Sequence, residues 1–356
     1  MKPHLSLTAL LLTSAACATA QAPAPPAAAP AAPNMVITRA ETVRLLTALA
    51  DDSMEGRRTL TPGEVRAARF IAGEFAALGL QPMGGDSGYY QWVPLVQVQR
   101  RNGSIGYGYP AAGVLDTIAK EKIRYGRNIV ARLEGSDPTL KNEMILVDAH
   151  YDHLGVGRPV NGDSIYNGAD DDASGVVTVL QVARAMVAGP RPRRTILFAT
   201  FTGEEMGLFG ARWFVDHPTV PLERIVANLE IEMIGRPDSL AGGAGKGWLT
   251  GYDRSTMGQL LRDNGIPLVS DPRPDQRFFE RSDNIAFARR GVPAHTISSY
   301  NMHSDYHRVT DEVRLVDASH MAAVINATAR AAQLLANGPV PAWLPGGRPE
   351  APAARP

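Results

Sequence analysis

Apolar residues recur along much of this chain with the spacing of helices that bury one face. Residues 40–50 and 63–80 place large apolar side chains three and four positions apart, and residues 174–187, 208–215 and 315–335 follow the same spacing. Each of the five stretches is therefore predicted to form a helix that packs one face against a core.

Short, uninterrupted apolar runs alternate with these helices in the second half of the chain. They are 144–147, 195–200, 225–231, 266–268 and 294–298. Runs of this length rich in Val, Ile and Leu are typical of strands buried on both faces. The alternation predicts an α/β fold with a mainly parallel, mixed central sheet and helices on both faces.

Imidazoles and carboxylates follow the ends of these strands. His150 follows the first run, Glu204–Glu205 the second, and Glu232 ends the third, while Asp170–Asp172 precedes a helix and His303–His307 lies near the end. Ligands bind beyond the carboxyl ends of parallel strands. So many acids repel one another unless a cation neutralises them, and mixed nitrogen and oxygen ligands suit zinc.

Each of these groups taken alone has a simpler explanation. Asp170–Asp172 is placed to favour a helix N-terminus, and Glu204–Glu205 resembles a solvated pair. The metal hypothesis depends on all of them occurring together, in this order, after these strands.

The two ends of the chain are predicted to lie outside the folded domain. Residues 1–20 have a basic start, a short apolar run and a small-x-small cleavage pattern, which predicts a signal peptide. Residues 21–35 form a linker rich in Ala and Pro, and 338–356 a tail rich in Pro, Gly and Ala. The domain is predicted to span 36–337.

Composition narrows the choice of partners and location. The formal net charge is +0 and no basic stripe is present, which argues against nucleic acid as a binding partner. No apolar run after the signal is long enough to span a bilayer. The signal predicts a periplasmic or secreted protein. The single cysteine, Cys17, allows an alternative in which it carries the lipid anchor of an envelope lipoprotein.

Five motifs together resemble peptidase family M28, the two-zinc aminopeptidases and related exopeptidases. The resemblance runs from about Glu41 to Leu335. Its motifs are His150-Tyr151-Asp152, the stretch 168–175 (Gly-Ala-Asp-Asp-Asp-Ala-Ser-Gly), Gly203-Glu204-Glu205, Glu232-Met233-Ile234-Gly235, and Asp305-Tyr306-His307 with Asp311 four residues later.

The resemblance implies a single zinc-exopeptidase domain that holds two Zn²⁺ ions and hydrolyses the N-terminal bond of peptides. It implies His150 and Glu232 at one ion, Glu205 and His307 at the other, and Asp171 as the bridge between them.

The resemblance also implies roles for residues around the ions. Glu204 is the expected general base. Asp152 is expected to orient His150, and Asp311 to do the same for His307. Tyr306 is interpreted either as a hydrogen-bond donor to the substrate carbonyl or as a packing residue.

Several alternatives remain at this stage. Glu232 stands where many members carry Asp, and Glu230 competes with it. His153 and His303 are interpreted as neighbours of the site, with His303 a possible replacement for His307. Carboxypeptidase or dipeptidase action, glutaminyl cyclase activity and a non-catalytic binding module are the competing functions.

Overall fold

The predicted alternation of strands and helices appears in the computed structural model, which describes residues 37–350. The predicted signal peptide, the linker and the end of the predicted tail lie outside the described residues.

The helices of the described chain agree with the five predicted stretches and add two short ones. They are α1 (Arg39–Leu49), α2 (Pro62–Ala77), α3 (Ser174–Ala188), α4 (Phe209–Asp216), α5 (Met257–Asp263), α6 (Asn284–Arg289) and α7 (Ala318–Asn337).

The strands include four of the five predicted runs, a fifth that begins two residues later than predicted, at Leu268, and others that the apolar pattern did not reveal. They are β1 (Gln81–Pro82), β2 (Tyr90–Gln99), β3 (Ile105–Gly108), β4 (Ile123–Leu133), β5 (Met144–His150), β6 (Gly155–Val160), β7 (Asp163–Tyr166), β8 (Thr195–Phe201), β9 (Ile225–Glu232), β10 (Gly247–Leu249), β11 (Leu268–Ser270) and β12 (Ala294–Ser298).

One sheet organises the described residues, in the order β11-β10-β12-β9-β5-β8-β4-β2-β3, with β1 beside β4. The central strands β12, β9, β5 and β8 are parallel neighbours, whereas β4, β2 and β3 form an antiparallel flank. The flank escaped prediction because β4 carries charged residues and β2 contains Pro94, so neither strand is a simple apolar run.

Helices cover both faces of this sheet, as predicted. Helices α1, α2, α3 and α7 contribute to the larger apolar core, and α4 and α6 to the smaller one. Every residue of β5 and β8 is buried, as expected for strands with helices on both sides. The sheet therefore has a rigid centre, and its carboxyl edge holds the polar motifs.

The packed chain continues past the predicted domain end at residue 337. Trp343 forms an isolated bridge with Ser255, and its indole N–H donates to the Gly291 carbonyl at 2.9 Å. A large aromatic side chain in the Pro- and Gly-rich segment supplies the apolar surface that anchors it. Among residues 37–350, no helix is long and apolar enough to cross a membrane.

Candidate metal centre

The central strands bring the predicted ligands to one edge of the sheet. His150 is the last residue of β5, and Glu232 is the last residue of its parallel neighbour β9. Glu205 follows β8, Asp171 lies in the turn before α3, and His307 lies in the loop between β12 and α7. The predicted convergence of the five side chains is therefore found in the structure.

Asp171 stands between the other four side chains. Its Oδ1 lies 3.3 Å from His150 Nε2, and its Oδ2 lies 3.1 Å from His307 Nε2. Glu232 Oε2 lies 3.4 Å from His150 Nε2, and Glu205 Oε2 lies 3.1 Å from His307 Nε2. The cluster thus divides into two halves that share one carboxylate.

The donor atoms fit zinc. Two ligand atoms each about 2.0–2.2 Å from one tetrahedral zinc ion lie about 3.3–3.6 Å apart, close to the separations seen here. Three buried atoms of the cluster, His150 Nε2, Asp171 Oδ2 and Glu205 Oε1, lie close to neighbouring side chains but make no well-aligned hydrogen bond among the described residues. Buried polar atoms without partners are costly, and a bound cation would satisfy all three.

The backbone of Asp152, rather than its side chain, orients His150. His150 Nδ1 lies 3.0 Å from the Asp152 carbonyl oxygen, whereas the nearest Asp152 carboxylate oxygen is 3.8 Å away. The carboxylate instead accepts hydrogen bonds from the Glu204 N–H and the Thr59 hydroxyl. The predicted side-chain contact is corrected accordingly, and a proton on Nδ1 leaves Nε2 free to face a metal.

Asp311 also acts on a different partner from the one predicted. Its carboxylate accepts the backbone N–H groups of Asp170 and Asp171 at 3.0–3.1 Å, with no hydrogen bond to His307 among the described residues. Burial raises the pKa of Asp311 to about 6. Asp311 therefore fixes the turn that carries the shared carboxylate.

Glu204 and Glu205 are adjacent in sequence but lie in a turn, and their side chains have different surroundings. The N–H groups of Gly207 and Leu208 both donate to the Glu204 carbonyl, which makes this segment a turn. Glu205 contacts imidazoles, whereas Glu204 lines the neighbouring cavity. Burial raises the pKa of Glu204 well above its usual range.

Tyr306 stacks on His307, with ring centroids 3.8 Å apart and an interplanar angle of 20°. It also lines the cavity beside the cluster. Burial raises the pKa of Tyr306, so its hydroxyl stays protonated and able to donate a hydrogen bond. The stacking and the cavity position are compatible with both predicted interpretations.

His303 and Glu230, the alternatives to His307 and Glu232 in the sequence, both lie away from the shared carboxylate. His303 Nε2 lies 2.9 Å from Asp170 Oδ2 rather than at the shared carboxylate. Glu230 is buried, and its Oε1 accepts from the Ser282 hydroxyl, which also lies 2.8 Å from Glu232 Oε2. Of the two glutamates on β9, only Glu232 makes a close approach to His150.

Two residues that the sequence did not predict as ligands, His153 and Asp172, lie at the cluster. His153 Nδ1 is 2.9 Å from Glu205 Oε1, on the opposite oxygen from His307. Donor atoms of His153, Asp171 and Glu205 lie within 4.8 Å of one another, and so do those of His150, Asp172 and Glu232. The tandem histidines and tandem aspartates were the available signal, but spacing alone does not say which member of each faces inward.

The electrostatics of the cluster favour an ionised shared carboxylate. Burial alone would raise the pKa of Asp171, but His153, His150 and His307 hold it well below its usual range. Burial raises the pKa of other carboxyls around it: Asp148, Asp172, Glu230 and Asp283. The acids crowd together here as the sequence predicted.

A cavity of about 70 Å³ opens beside the cluster. Asp171, Glu204, Glu232 and His307 line one side. The rest of the wall is mainly aromatic and hydroxyl-bearing: Trp248, Thr250, Phe278, Ser282, Thr296, Ser298, Tyr300 and Tyr306, with Met233 and Arg281. This volume has room for a few water molecules or one amino-acid side chain.

The fold and the cluster define a class of α/β proteins with a candidate metal centre beyond the carboxyl ends of parallel strands. A sequence model described as "Peptidase family M28" matches residues 128–332, more than half of the chain. The chain therefore belongs to Peptidase family M28, which confirms the resemblance found in its motifs.

Relatives of known name match part of the chain. It is 26% identical over 209 residues to the vacuolar membrane protease of Lachancea thermotolerans, covering 59% of this chain and 20% of that protein. It is 28% identical over 185 residues to leucine aminopeptidase 2 of Arthroderma otae, covering 51% and 35%. The matches thus span about a third or less of either relative.

Solved structures share the fold across most of the chain. The zinc aminopeptidase BSAP of Bacillus subtilis has a TM-score of 0.63 at 14% identity, covering 85% of this chain and 96% of that one. Porphyromonas gingivalis glutaminyl cyclase has a TM-score of 0.58 at 16% identity, covering 83% and 97%. At these identities the likeness establishes the fold alone.

Proposed function

We propose that this protein is an aminopeptidase that holds two zinc ions and hydrolyses the first peptide bond of peptides with a free N-terminus. The observation that carries the proposal is the position of Asp171, whose two oxygens face two different imidazoles at 3.3 and 3.1 Å. A carboxylate between two such groups is the arrangement that bridges paired metal ions about 3.5–4 Å apart.

The five ligands would be distributed between the two ions as the resemblance implies. His150 and Glu232 would hold one, Glu205 and His307 the other, and Asp171 would bridge them. When bound, zinc supplies Lewis acidity that activates water and polarises a carbonyl. His153 and Asp172 are the alternative ligands, since their donor atoms lie within 4.8 Å of those of Glu205 and of His150, respectively.

The residues that line the cavity would transfer the proton and bind the substrate. Glu204 accepts a proton from the attacking water and passes it to the leaving amine, a role that suits a carboxyl of raised pKa. The Tyr306 hydroxyl donates a hydrogen bond to the carbonyl oxygen as charge develops there. Glu232 lies at the same cavity and offers a negative charge to the free α-amine.

The first side chain of the substrate would enter the aromatic end of the cavity. Phe278 stacks on Trp248 with centroids 5.3 Å apart, and Tyr300 packs edge-on against Phe278. Phe278 thus forms an apolar wall of the cavity, whereas its neighbour Phe279 packs in the core formed with α4 and α6. Apolar or aromatic first residues are the expected substrates.

Carboxypeptidase or dipeptidase action is the second candidate, because one arginine is placed to meet a terminal carboxylate. Arg281 lines the cavity and lies over the Phe278 ring, whereas Arg236 is paired with Asp305 and Arg277 with Glu280. Of these three arginines, Arg281 is the one that lines the cavity and would receive a carboxylate there.

A panel of short peptides tests the proposal on the zinc-loaded protein. One tripeptide is offered with both ends free, N-acetylated, or C-amidated, and a fourth peptide begins with glutamine. We expect cleavage after the first residue of the free and C-amidated forms, and none of the N-acetylated form. Cleavage of the N-acetylated peptide, or cyclisation of the N-terminal glutamine without hydrolysis, would overturn the assignment.

We also propose that the protein is exported by the signal at residues 1–20. The basic start, the short apolar run and the small-x-small pattern of these residues support the proposal. Fractionation of cells that produce the full chain tests this proposal, and Cys17→Ser tests the lipoprotein alternative. Release of the protein from the membrane fraction by Cys17→Ser would favour the lipid anchor.

A further inference from the structure

Arg57 is a fully buried arginine at the end of a 3-10 turn, Asp52–Arg57, in the chain between α1 and α2. A guanidinium stays charged in proteins, so its burial needs compensation from the surrounding groups. The side chain belongs to none of the ligand motifs.

All of the hydrogen bonds that Arg57 donates go to backbone carbonyl oxygens. Nε donates to Tyr151 O at 2.8 Å, and Nη2 donates to Gly168 O at 2.9 Å. Nη1 donates to Asn167 O at 2.5 Å and to Leu49 O at 2.9 Å. One side chain therefore ties together three segments that are far apart in sequence.

Two of these segments carry the candidate metal ligands. Tyr151 directly follows His150, and Gly168 comes three residues before Asp171 in the turn that leads to α3. The planar fork of an arginine fixes the mutual distance of the carbonyls that it binds. Arg57 thus sets how far the strand end that carries His150 lies from the turn that carries Asp171.

The charge of Arg57 also faces the acidic cluster. Burial lowers its pKa, and four carboxylates of the site oppose that change: Asp171, Asp311, Asp172 and Asp152. None of them is a direct hydrogen-bond partner, so the positive charge acts on the group as a whole.

The turn before Arg57 is shaped to deliver the side chain to this place. Gly56 has a φ of +59°, and a Cβ at this position would come within 2.4 Å of Tyr166 O and 2.8 Å of Gly155 Cα. Only glycine fits that approach without a shift of the backbone. The tight turn against β6 and β7 lets Arg57 enter the interior.

We propose that Arg57 is a positioning residue of the metal centre: it clamps the His150 and Asp171 segments in the spacing needed to share two ions. The inference rests on the proposed metal site. It predicts that the loss of the clamp weakens zinc binding more than the loss of an equally buried arginine elsewhere.

Zinc affinity is measured by competition with a chromophoric chelator for wild type, Arg57→Lys and Arg57→Met. We expect about a 10- to 100-fold loss of affinity in both variants, the range typical when a group that orients a metal ligand is removed. Lysine cannot reproduce the fork of the guanidinium, so neither variant restores the clamp. Because lysine keeps the positive charge, Arg57→Lys should retain more thermal stability without zinc than Arg57→Met. Saturating zinc should restore kcat of Arg57→Lys.

Arg194 supplies the matched control. It is also buried and donates to the carbonyls of Leu335 and Gly338, but it precedes β8, at the opposite edge of the sheet from the cluster. Arg194→Met should lower Tm and leave zinc affinity unchanged.

Wild-type zinc affinity in Arg57→Lys, with a drop in Tm like that of Arg194→Met, would overturn the inference. If Arg57→Met does not fold, the Arg57→Lys affinity decides. A wild-type protein that binds no zinc would instead contradict the proposed function, and this result is visible before any variant is made.

Discussion

The two halves of the candidate metal centre are built on different kinds of structure. His150 and Glu232 close two paired parallel strands, and the His150 side chain is 1% exposed. Glu205 and His307 lie in turns; the His307 side chain is 34% exposed, and its backbone has a φ of +57°. We refer to these as the strand-built half and the turn-built half.

The difference indicates which half of the site is held more firmly and which opens more easily. Strand ends in a buried parallel sheet are fixed by backbone hydrogen bonds on both sides. The partly exposed turn that carries His307 opens locally at much lower free energy, and a non-glycine residue at positive φ stores strain. The turn-built half is therefore the one expected to release its ion first, and Asp171 is the only side chain of the five that belongs to both halves.

Removal of the shared carboxylate should have the largest effect, because both halves then lose a ligand. Asp171→Asn removes the negative charge that both imidazoles face. We expect loss of both zinc ions in metal analysis and a fall in activity of more than about 100-fold, beyond the usual effect of removing a group that only supports a ligand. Asp170→Asn is the matched neighbour and should retain both ions; two tightly bound ions in Asp171→Asn would contradict a shared ligand.

Glu204→Gln should separate catalysis from metal binding in both halves. The amide is isosteric with the carboxyl but cannot accept and return a proton at neutral pH. We expect both ions to remain and the peptide-cleavage rate to fall by about 10²- to 10⁴-fold, the usual contribution of a general base. A variant with a near-normal rate would remove Glu204 from this role.

Removal of the ions with a chelator should compare directly how tightly the two halves hold zinc. Titration of the zinc-loaded protein with a chelator should remove the ions in two phases, the turn-built half first. His307→Ala should bind one ion and lack the first phase, since the strand-built half remains complete. A single phase in the wild type, or loss of both ions in His307→Ala, would show that the two halves behave as one.

Ser282→Ala is expected to have the smallest effect and to act on the strand-built half alone. The Ser282 hydroxyl lies 2.8 Å from Glu232 Oε2 and contacts none of the turn-built ligands. We expect about a 10-fold loss of zinc affinity in the second phase of the chelator titration. Ser255→Ala removes another buried hydroxyl, bound to His295, and should leave both phases unchanged.

Only part of the site follows from the apolar pattern alone. The runs that end β5, β8 and β9 place His150, Glu204–Glu205 and Glu232 at one edge of the sheet, because strand direction fixes that edge. The choice of Glu232 over Glu230, of Glu205 over Glu204 and of His307 over His303 depended on motif resemblance, since no periodicity describes a turn. The antiparallel flank β2–β4 escaped for a related reason: its half-exposed strands lack a continuous apolar run.

Contacts made by backbone atoms were beyond sequence reasoning. The Asp152 carbonyl, rather than its carboxylate, approaches His150, and Asp311 binds backbone N–H groups instead of an imidazole. Arg57 likewise acts on carbonyl oxygens, which leave no trace in residue types. The chemistry of the ligands was therefore predictable from the sequence, whereas the supports that hold them in place were not.

Anomalous X-ray scattering from crystals of the zinc-loaded protein, measured at the zinc absorption edge, tests the central claim most directly. We expect two peaks about 3.5–4 Å apart, one on each side of the Asp171 carboxylate. A single peak, or two peaks that do not share Asp171, would contradict the account of a centre made of two halves.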